Sequence, residues 1–205
     1  MPESGRGRQQ HAGEQDEAWA LVERVRDGDD GAFDELMDLY KRPVLNFVFR
    51  LIGDAAEAED VAQDVFVRTY RSIHKPGFNR TNAAFSTWLF QVARNAALDC
   101  LRRRRRHPAQ SLDALEEGGT SLPSAQATSA DEVAARETGA EIAAAVMSLP
   151  EDQRTAVVLS EYERLSDARI AEVMRCSAKS VESRLYRARR FLRDRLRHLL
   201  VEDGR

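Results

Sequence analysis

Along most of the chain, apolar side chains recur every three or four positions, the spacing of one helix face. The segment from Asp16 to Arg26 places Trp19, Leu21, Val22 and Val25 at that spacing. After the turn "DGDDG", a second helix is predicted from about Ala32 to Ile52, carried by Phe33, Leu36, Met37, Tyr40, Val44, Phe47, Val48 and Leu51. Pro43 lies inside it and predicts a kink or a broken turn, because proline lacks the N–H the helix needs. Gly53 closes this helix. Asp54, with Glu57 three residues on, is the cap signature of a third helix reaching about Ile73. The third helix buries Ala58, Val61, Ala62, Val65, Thr69 and Ile73, and shows Asp60, Gln63, Asp64, Val67 and Arg71 on its other side. "HKPGFNRTNA" breaks the rhythm at Pro76-Gly77. A fourth helix follows from about Ala84, with Phe85, Trp88, Leu89, Val92, Ala93, Ala96 and Cys100 on one stripe.

From His107 to about Ala130 small and polar residues take over, which predicts a flexible linker. Helical patterning resumes near Asp131, at about 132–147, 151–163, 167–174 and 178–199. Leu149-Pro150 introduces the second of these, where Glu151 and Asp152 suit the positive end of the helix dipole. No strand-like alternation occurs. The expected fold is all-α, with two small helical domains at 16–106 and 131–200, the linker 107–130 between them, and tails at 1–15 and 201–205.

The second domain contains the outline of a helix-turn-helix. Ser166 caps a short helix from Asp167 to Met174; Arg175-Cys176-Ser177 makes a tight turn; Ser177 caps a longer helix. Ile170, Ala171 and Met174 face Val181 and Leu185. At 100° per residue, Val181, Leu185, Ala188, Leu192, Leu196 and Leu199 form one seam. Opposite it fall Lys179, Glu182, Ser183, Tyr186, Arg187 and Arg190, the donors, acceptor and aromatic ring that a recognition helix offers to base edges.

Charge sharpens this picture. The 205 residues carry a net charge of only −3, but the charges are segregated. Asp54 to Asp64 holds five acids and no Lys or Arg, whereas Arg175 to His198 holds nine Lys and Arg against two acids. Such a split fits two partners of opposite sign, or one partner with two kinds of surface. The fourth helix ends in five consecutive arginines, Arg102 to Arg106. Cys100 and Cys176 sit in apolar patterns and read as buried free thiols of a reducing compartment. There is no run of about 18 apolar residues and no apolar leader core, so a cytoplasmic protein without membrane insertion is expected. The four histidines have no ligand spacing with either cysteine, and no phosphate-binding loop or nucleophile–base pair appears. Neither metal nor cofactor is expected, and the chain does not read as an enzyme.

Three stretches, "AAEAEDVAQDVFVRTYRSI", "FSTWLFQVARNAALDCLRRRRR" and "LPEDQRTAVVLSEYERLSDARIAEVMRCSAKSVESRLYRARR", resemble an extracytoplasmic-function sigma factor of the sigma-70 family, in the family's order and around its linker. The resemblance spans Trp19 to Leu200. It implies an RNA polymerase subunit that directs promoter recognition, melting and initiation, for a regulon of the stress or envelope-response type. The third helix, through Glu57, Asp60, Gln63, Asp64 and Val67, would dock on a coiled coil of the polymerase β′ subunit, and the second domain on the β flap. Phe78, Asn79, Arg80, Asn82, Trp88, Arg94, Arg102, Arg103 and Arg105 would serve the minus-ten element. Lys179, Ser180, Glu182, Ser183, Arg184, Tyr186, Arg187 and Arg190 would serve the minus-thirty-five element. The family also implies an anti-sigma factor as partner, and a linker threaded near the RNA exit path.

Some residues keep two readings. Trp88 lies on the apolar stripe as core, or wedges against the first melted base pair. Phe78 is core, or stacks on a base. Arg164 and Arg175 stand where the family often has glycine; a left-handed backbone there would cost roughly 1 kcal/mol at each. The competing function is an autonomous helix-turn-helix regulator with a helical dimerisation domain; a helical adaptor would leave the polar face opposite Val181 and Leu185 unexplained. The acidic third helix separates the first two, since a simple repressor has no need of it.

Overall fold

The computed structural model describes residues 17–78, 83–106 and 130–202, with 130–134 and 200–202 as backbone alone. The expected N-terminal tail, residues 203–205 and nearly all of the expected linker lie outside the described residues, while 201–202 of the expected C-terminal tail belong to a helix. Among the described residues every regular element is helical. In chain order these are α1 (17–26), α2 (Asp30–Ile52), α3 (Ala55–Ile73), α4 (Phe85–Arg106), α5 (Ala130–Met147), α6 (Glu151–Val157), α7 (Asp167–Met174), α8 (Ala178–Arg195) and α9 (Arg197–Glu202).

Local chemistry sets the ends. Asp29 caps α2 by accepting from the Ala32 N–H, and Gly53 ends it in the left-handed region at φ 80°. Asp54 accepts from the Glu57 N–H at 2.8 Å and starts α3 one residue later. Arg24 ties α1 to the head of α2 through Asp29 and Glu35, at 2.6 and 3.1 Å. These helices enclose Trp19, Val22, Val25, Leu36, Phe47, Leu51, Val65, Phe85 and Leu89, all buried. The stripe expected on α3 is buried throughout, with Phe66 added.

Pro43 does not break its helix. α2 runs from Asp30 to Ile52 without interruption. Leu36 before the proline, and Val44, Phe47 and Val48 after it, are all buried. Burying each such side chain is worth about 1.5–3 kcal/mol, enough together to offset the roughly 3 kcal/mol cost of an interior proline.

The second domain departs from its predicted outline twice. The helix expected over 151–163 is α6 continued by one π-type stretch, Val158–Tyr162. The long helix expected over 178–199 ends at Arg195; Leu196 leaves the helical region, and α9 restarts at Arg197. Leu149, Leu159, Ile170, Val173, Val181 and Leu185 form the core here.

The two helical units pack on one another. α4 is buried on more than the predicted stripe, with Thr87, Phe90, Ala97 and Leu98 also enclosed. Gln91, Arg94 and Arg105 of α4 meet α6 and α7. At the far end Met147 approaches Gly53 so closely that a Cβ there would lie 2.5 Å from its Cε. Glycine is favoured at 53 by its φ of 80°, while the flexible end of Met147 would have to shift for any larger residue.

Candidate polymerase and promoter interfaces

On α3 the buried stripe leaves Asp60, Gln63, Asp64 and Val67 together on the exposed side, as expected. Val67 is an apolar side chain left 47 % exposed. Beside it runs a groove of about 630 Å³ lined by Phe33, Met37, Leu45, Phe66 and Tyr70. An acidic ridge along an open apolar groove suits a basic, amphipathic helical partner. Asp64 pairs with Arg68 at 2.6 Å, one turn on. Glu57 is different: its carboxylate turns inward, pairing with Arg104 at 3.2 Å and accepting from the Cys100 thiol at 3.7 Å. Burial, and after it that carboxylate, pushes the Cys100 pKa up, so Cys100 stays a thiol.

At the head of α4 the aromatic residues gather. Phe78 packs edge-on against Trp88 at 5.0 Å and lies 6.1 Å from Trp19; Trp88 also meets Phe85 at 5.6 Å. Both Phe78 and Trp88 are partly buried against the core. The core reading thus holds for both in this conformation, each keeping some exposed ring. The Trp19 indole N–H donates to the Ala83 carbonyl and pins the end of the loop. Asn79, Arg80 and Asn82 lie outside the described residues.

The arginine run divides because consecutive helix positions point 100° apart. Arg104 points inward to Asp54, Glu57 and the Ile52 carbonyl. Arg105 pairs with Glu151 of α6 at 2.7 Å. Arg102, Arg103 and Arg106 are exposed, Arg102 beside Asp99.

The helix-turn-helix has the predicted caps: Ser166 accepts from the Arg169 N–H, and Ser177 from the Ser180 N–H. Arg164 and Arg175 both take the left-handed backbone, at φ 54° and 51°. The bond from the Cys176 N–H to the Ala171 carbonyl closes the end of α7. Ile170, Ala171, Met174, Val181, Leu185 and Ala188 are buried. Lys179, Glu182, Ser183, Tyr186, Arg187 and Arg190 are all exposed, and Tyr186 is the most exposed large ring, at 67 %. Arg187 lies along its helix, donating to the Ser183 hydroxyl at 2.7 Å. Ser180 and Arg184 fall off this face: Arg184 donates to Ser180, to the Cys176 sulfur and to Asp152. Arg189 is held at 2.8 Å by Glu161.

Sequence reasoning missed the acids and amides that receive these arginines. Asp152 and Gln91 carry no local signal; their partners lie far away in the chain. Among the described residues no group of three His, Cys, Asp or Glu side chains could hold a metal, and no helix is long and apolar enough to cross a membrane.

Family models place the same two units. Sigma-70 region 2 matches residues 36–107, and sigma-70 region 4 matches residues 139–192. The chain is 40 % identical over 197 residues to the RNA polymerase sigma-H factor of Pseudomonas aeruginosa, covering 92 % of this chain and 98 % of that one. It is 33 % identical over 184 residues to the ECF RNA polymerase sigma factor SigW of Bacillus subtilis, covering 87 % and 96 %. The chain belongs to the extracytoplasmic-function sigma factors of the sigma-70 family. This sigma factor is similar in fold to RpoE in the co-crystal with the anti-sigma factor NepR from Bartonella quintana, with TM-score 0.63 and 24 % identity over 80 % of this chain and 96 % of that one. It is similar also to CnrH in complex with the cytosolic domain of CnrY, with TM-score 0.61 and 22 % identity over 92 % and 99 %. Its function is promoter recognition for RNA polymerase, and the competing reading as an autonomous regulator is set aside.

Proposed function

We propose the following division of labour within this sigma factor. The exposed face of α3, Asp60, Gln63, Asp64 and Val67 with its apolar groove, docks on the β′ coiled coil of core polymerase. Residues 16–106 form the minus-ten unit, in which Phe78 and Trp88 swing their exposed ring edges onto an unstacked base while Arg102 and Arg103 lie along phosphates. Residues 131–200 engage the β flap and the minus-thirty-five element, with Arg187 reading a guanine and Glu182 accepting from a cytosine amino group. The 107–130 segment passes near the RNA exit path. The chain works in the cytoplasm beside the polymerase, which carries out the chemistry, and an anti-sigma factor covers its polymerase-facing surfaces when it is idle.

The observation that carries this reading is the split of α8: Val181, Leu185 and Ala188 are 0–3 % exposed, while the opposite side presents Lys179, Glu182, Ser183, Tyr186, Arg187 and Arg190 to solvent. A purely structural helix gains nothing from that set of donors. Run-off transcription by purified core polymerase on a panel of promoters tests it. Transcripts that appear only when this chain is added, with start sites a fixed distance from two sequence elements, are expected. Core polymerase that stays inactive with the chain on every promoter would contradict it.

A further inference from the structure

Arg164 and Arg175 are the two non-glycine residues in the left-handed region among the described residues, at φ 54° and 51°. Both sit where a helix ends. The Glu163 N–H reaches back to the Val158 carbonyl and the Leu165 N–H to the Leu159 carbonyl, so the corner at Arg164 closes the π stretch. The Arg175 and Cys176 N–H groups return to α7 in the same way, through the Ala171 carbonyl. A helix end of this kind explains the backbone, since a left-handed residue is its usual stop. It does not explain arginine, because glycine takes that conformation without the clash of a Cβ.

The two side chains differ in what they do within the chain. Arg175 donates to Gln91 Oε1 at 3.3 Å. Arg164 is exposed, and among the described residues it makes no hydrogen bond or ion pair. Glu163 beside it is half-buried, with Arg50 as its neighbouring cation. Asp167, in the first turn of α7, does not pair with it. The folded chain thus keeps a strained corner whose side chain stabilises nothing within it. Strain kept with no compensating contact inside the fold points to one outside it.

The place of the corner in the helix-turn-helix identifies that contact. Ser160 and Glu161 hold Arg189 on the middle of α8, at 3.3 and 2.8 Å. From there the chain turns at Arg164 and runs through α7 to Arg175 at the head of α8. In a helix-turn-helix whose second helix enters the major groove, the first helix crosses the DNA backbone. The 8 residues of α7 make a rod about 12 Å long, close to the roughly 12 Å width of that groove. A residue just outside either end of such a rod lies over the rim of the groove, where the phosphates are. An unpaired guanidinium there matches phosphate oxygens through its planar fork.

We propose that Arg164 is a phosphate anchor for the upstream promoter element: its guanidinium binds the DNA backbone where α7 crosses it, adding affinity without reading sequence. The inference rests on the assignment of α8 to the minus-thirty-five element. The strain that Arg164 carries in the free chain is then offset in the DNA complex.

Equilibrium binding of holoenzyme to promoter DNA over a series of salt concentrations tests this, with core polymerase and the full chain carrying Arg164→Gly or Arg164→Lys. Glycine relieves the strain and removes the charge; lysine keeps both. Arg164→Gly should bind promoter DNA several-fold more weakly at low salt. Its slope of log affinity against log salt should flatten by about 1, the value of one phosphate contact. The preferred upstream sequence should not change, because phosphate contacts carry no sequence information. Arg164→Lys should recover most of the affinity and the full slope. Wild-type affinity and slope in Arg164→Gly would overturn the anchor, and a shifted sequence preference would overturn it as a phosphate contact. Loss of affinity for core polymerase in the absence of DNA would also overturn it, since the cation would then serve an acidic surface of the polymerase. If wild type itself forms no salt-sensitive promoter complex, the placement of α8 on the upstream element fails, and the anchor with it.

Discussion

Arg164 adopts φ 54°, a conformation that a side chain disfavours by about 1–2 kcal/mol relative to glycine. It is exposed. Arg164→Gly should therefore raise stability by about 1 kcal/mol, or a few degrees of melting temperature. Arg175→Gly should give less, because it also loses the hydrogen bond to Gln91. Calorimetric melts of the two variants give the comparison; a destabilised Arg164→Gly would show that the arginine makes compensating contacts. Its neighbour Glu163 ends the π stretch beside Arg50, and burial pushes its pKa up to about 7 against the opposing pull of that arginine. A raised acid pKa means that the folded chain takes up a proton the unfolded one has released. The associated stability is full below the ordinary glutamate range and is lost as pH rises through about 7. Glu163→Gln should match wild type near pH 5 and exceed it near pH 8. Parallel melting curves for the two across that window would contradict the assignment.

At the scale of single elements, α8 and α4 show how one helix carries two instructions. The caps, the turn and the first half of the seam of α8, Val181, Leu185 and Ala188, follow from local chemistry and were readable in advance, whereas Leu196 and Leu199 lie past the helix end at Arg195. Its outer face then divides by register. Arg187 lies on the exposed side with Ser183, whereas Arg189 is spoken for by Glu161. Arg187→Ala should relax preference at one base pair of the upstream element, at about 1–3 kcal/mol for a bidentate contact. Arg189→Ala should leave the preferred sequence unchanged. Selection from a randomised upstream element reads both; an identical preferred site for wild type and Arg187→Ala would rule out base readout by Arg187. On α4 the apolar stripe was legible, but its second buried side was not. Phe90 there packs on Phe47 of α2, while α6 and α7 meet Gln91 and Arg94, and a contact such as Arg94 to Asp152 joins residues 58 apart with no periodicity to announce it. At Pro43 the broken turn that local propensity allowed does not occur, because tertiary burial on both flanks holds the helix together.

Over the whole molecule, the two units, their helix order and the acidic face of α3 followed from periodicity, composition and capping, all properties of short windows. The placement of Glu57 against Arg104 and Cys100, the withdrawal of Arg184 from the face of α8, and the closure of the domains depend on long-range packing that no window contains. The proposed docking face belongs to the legible part, because it is one exposed side of a single helix. Asp60 and Asp64 are exposed on α3 beside Val67, Asp64 pairing with the exposed Arg68. Charge reversal there spares the fold and opposes a basic partner surface. The decisive measurement is the affinity of the Asp60→Arg, Asp64→Arg double variant for core RNA polymerase, alongside its helical circular-dichroism signal. Loss of holoenzyme formation with an unchanged helical signal is the predicted result; wild-type affinity for core polymerase would contradict it.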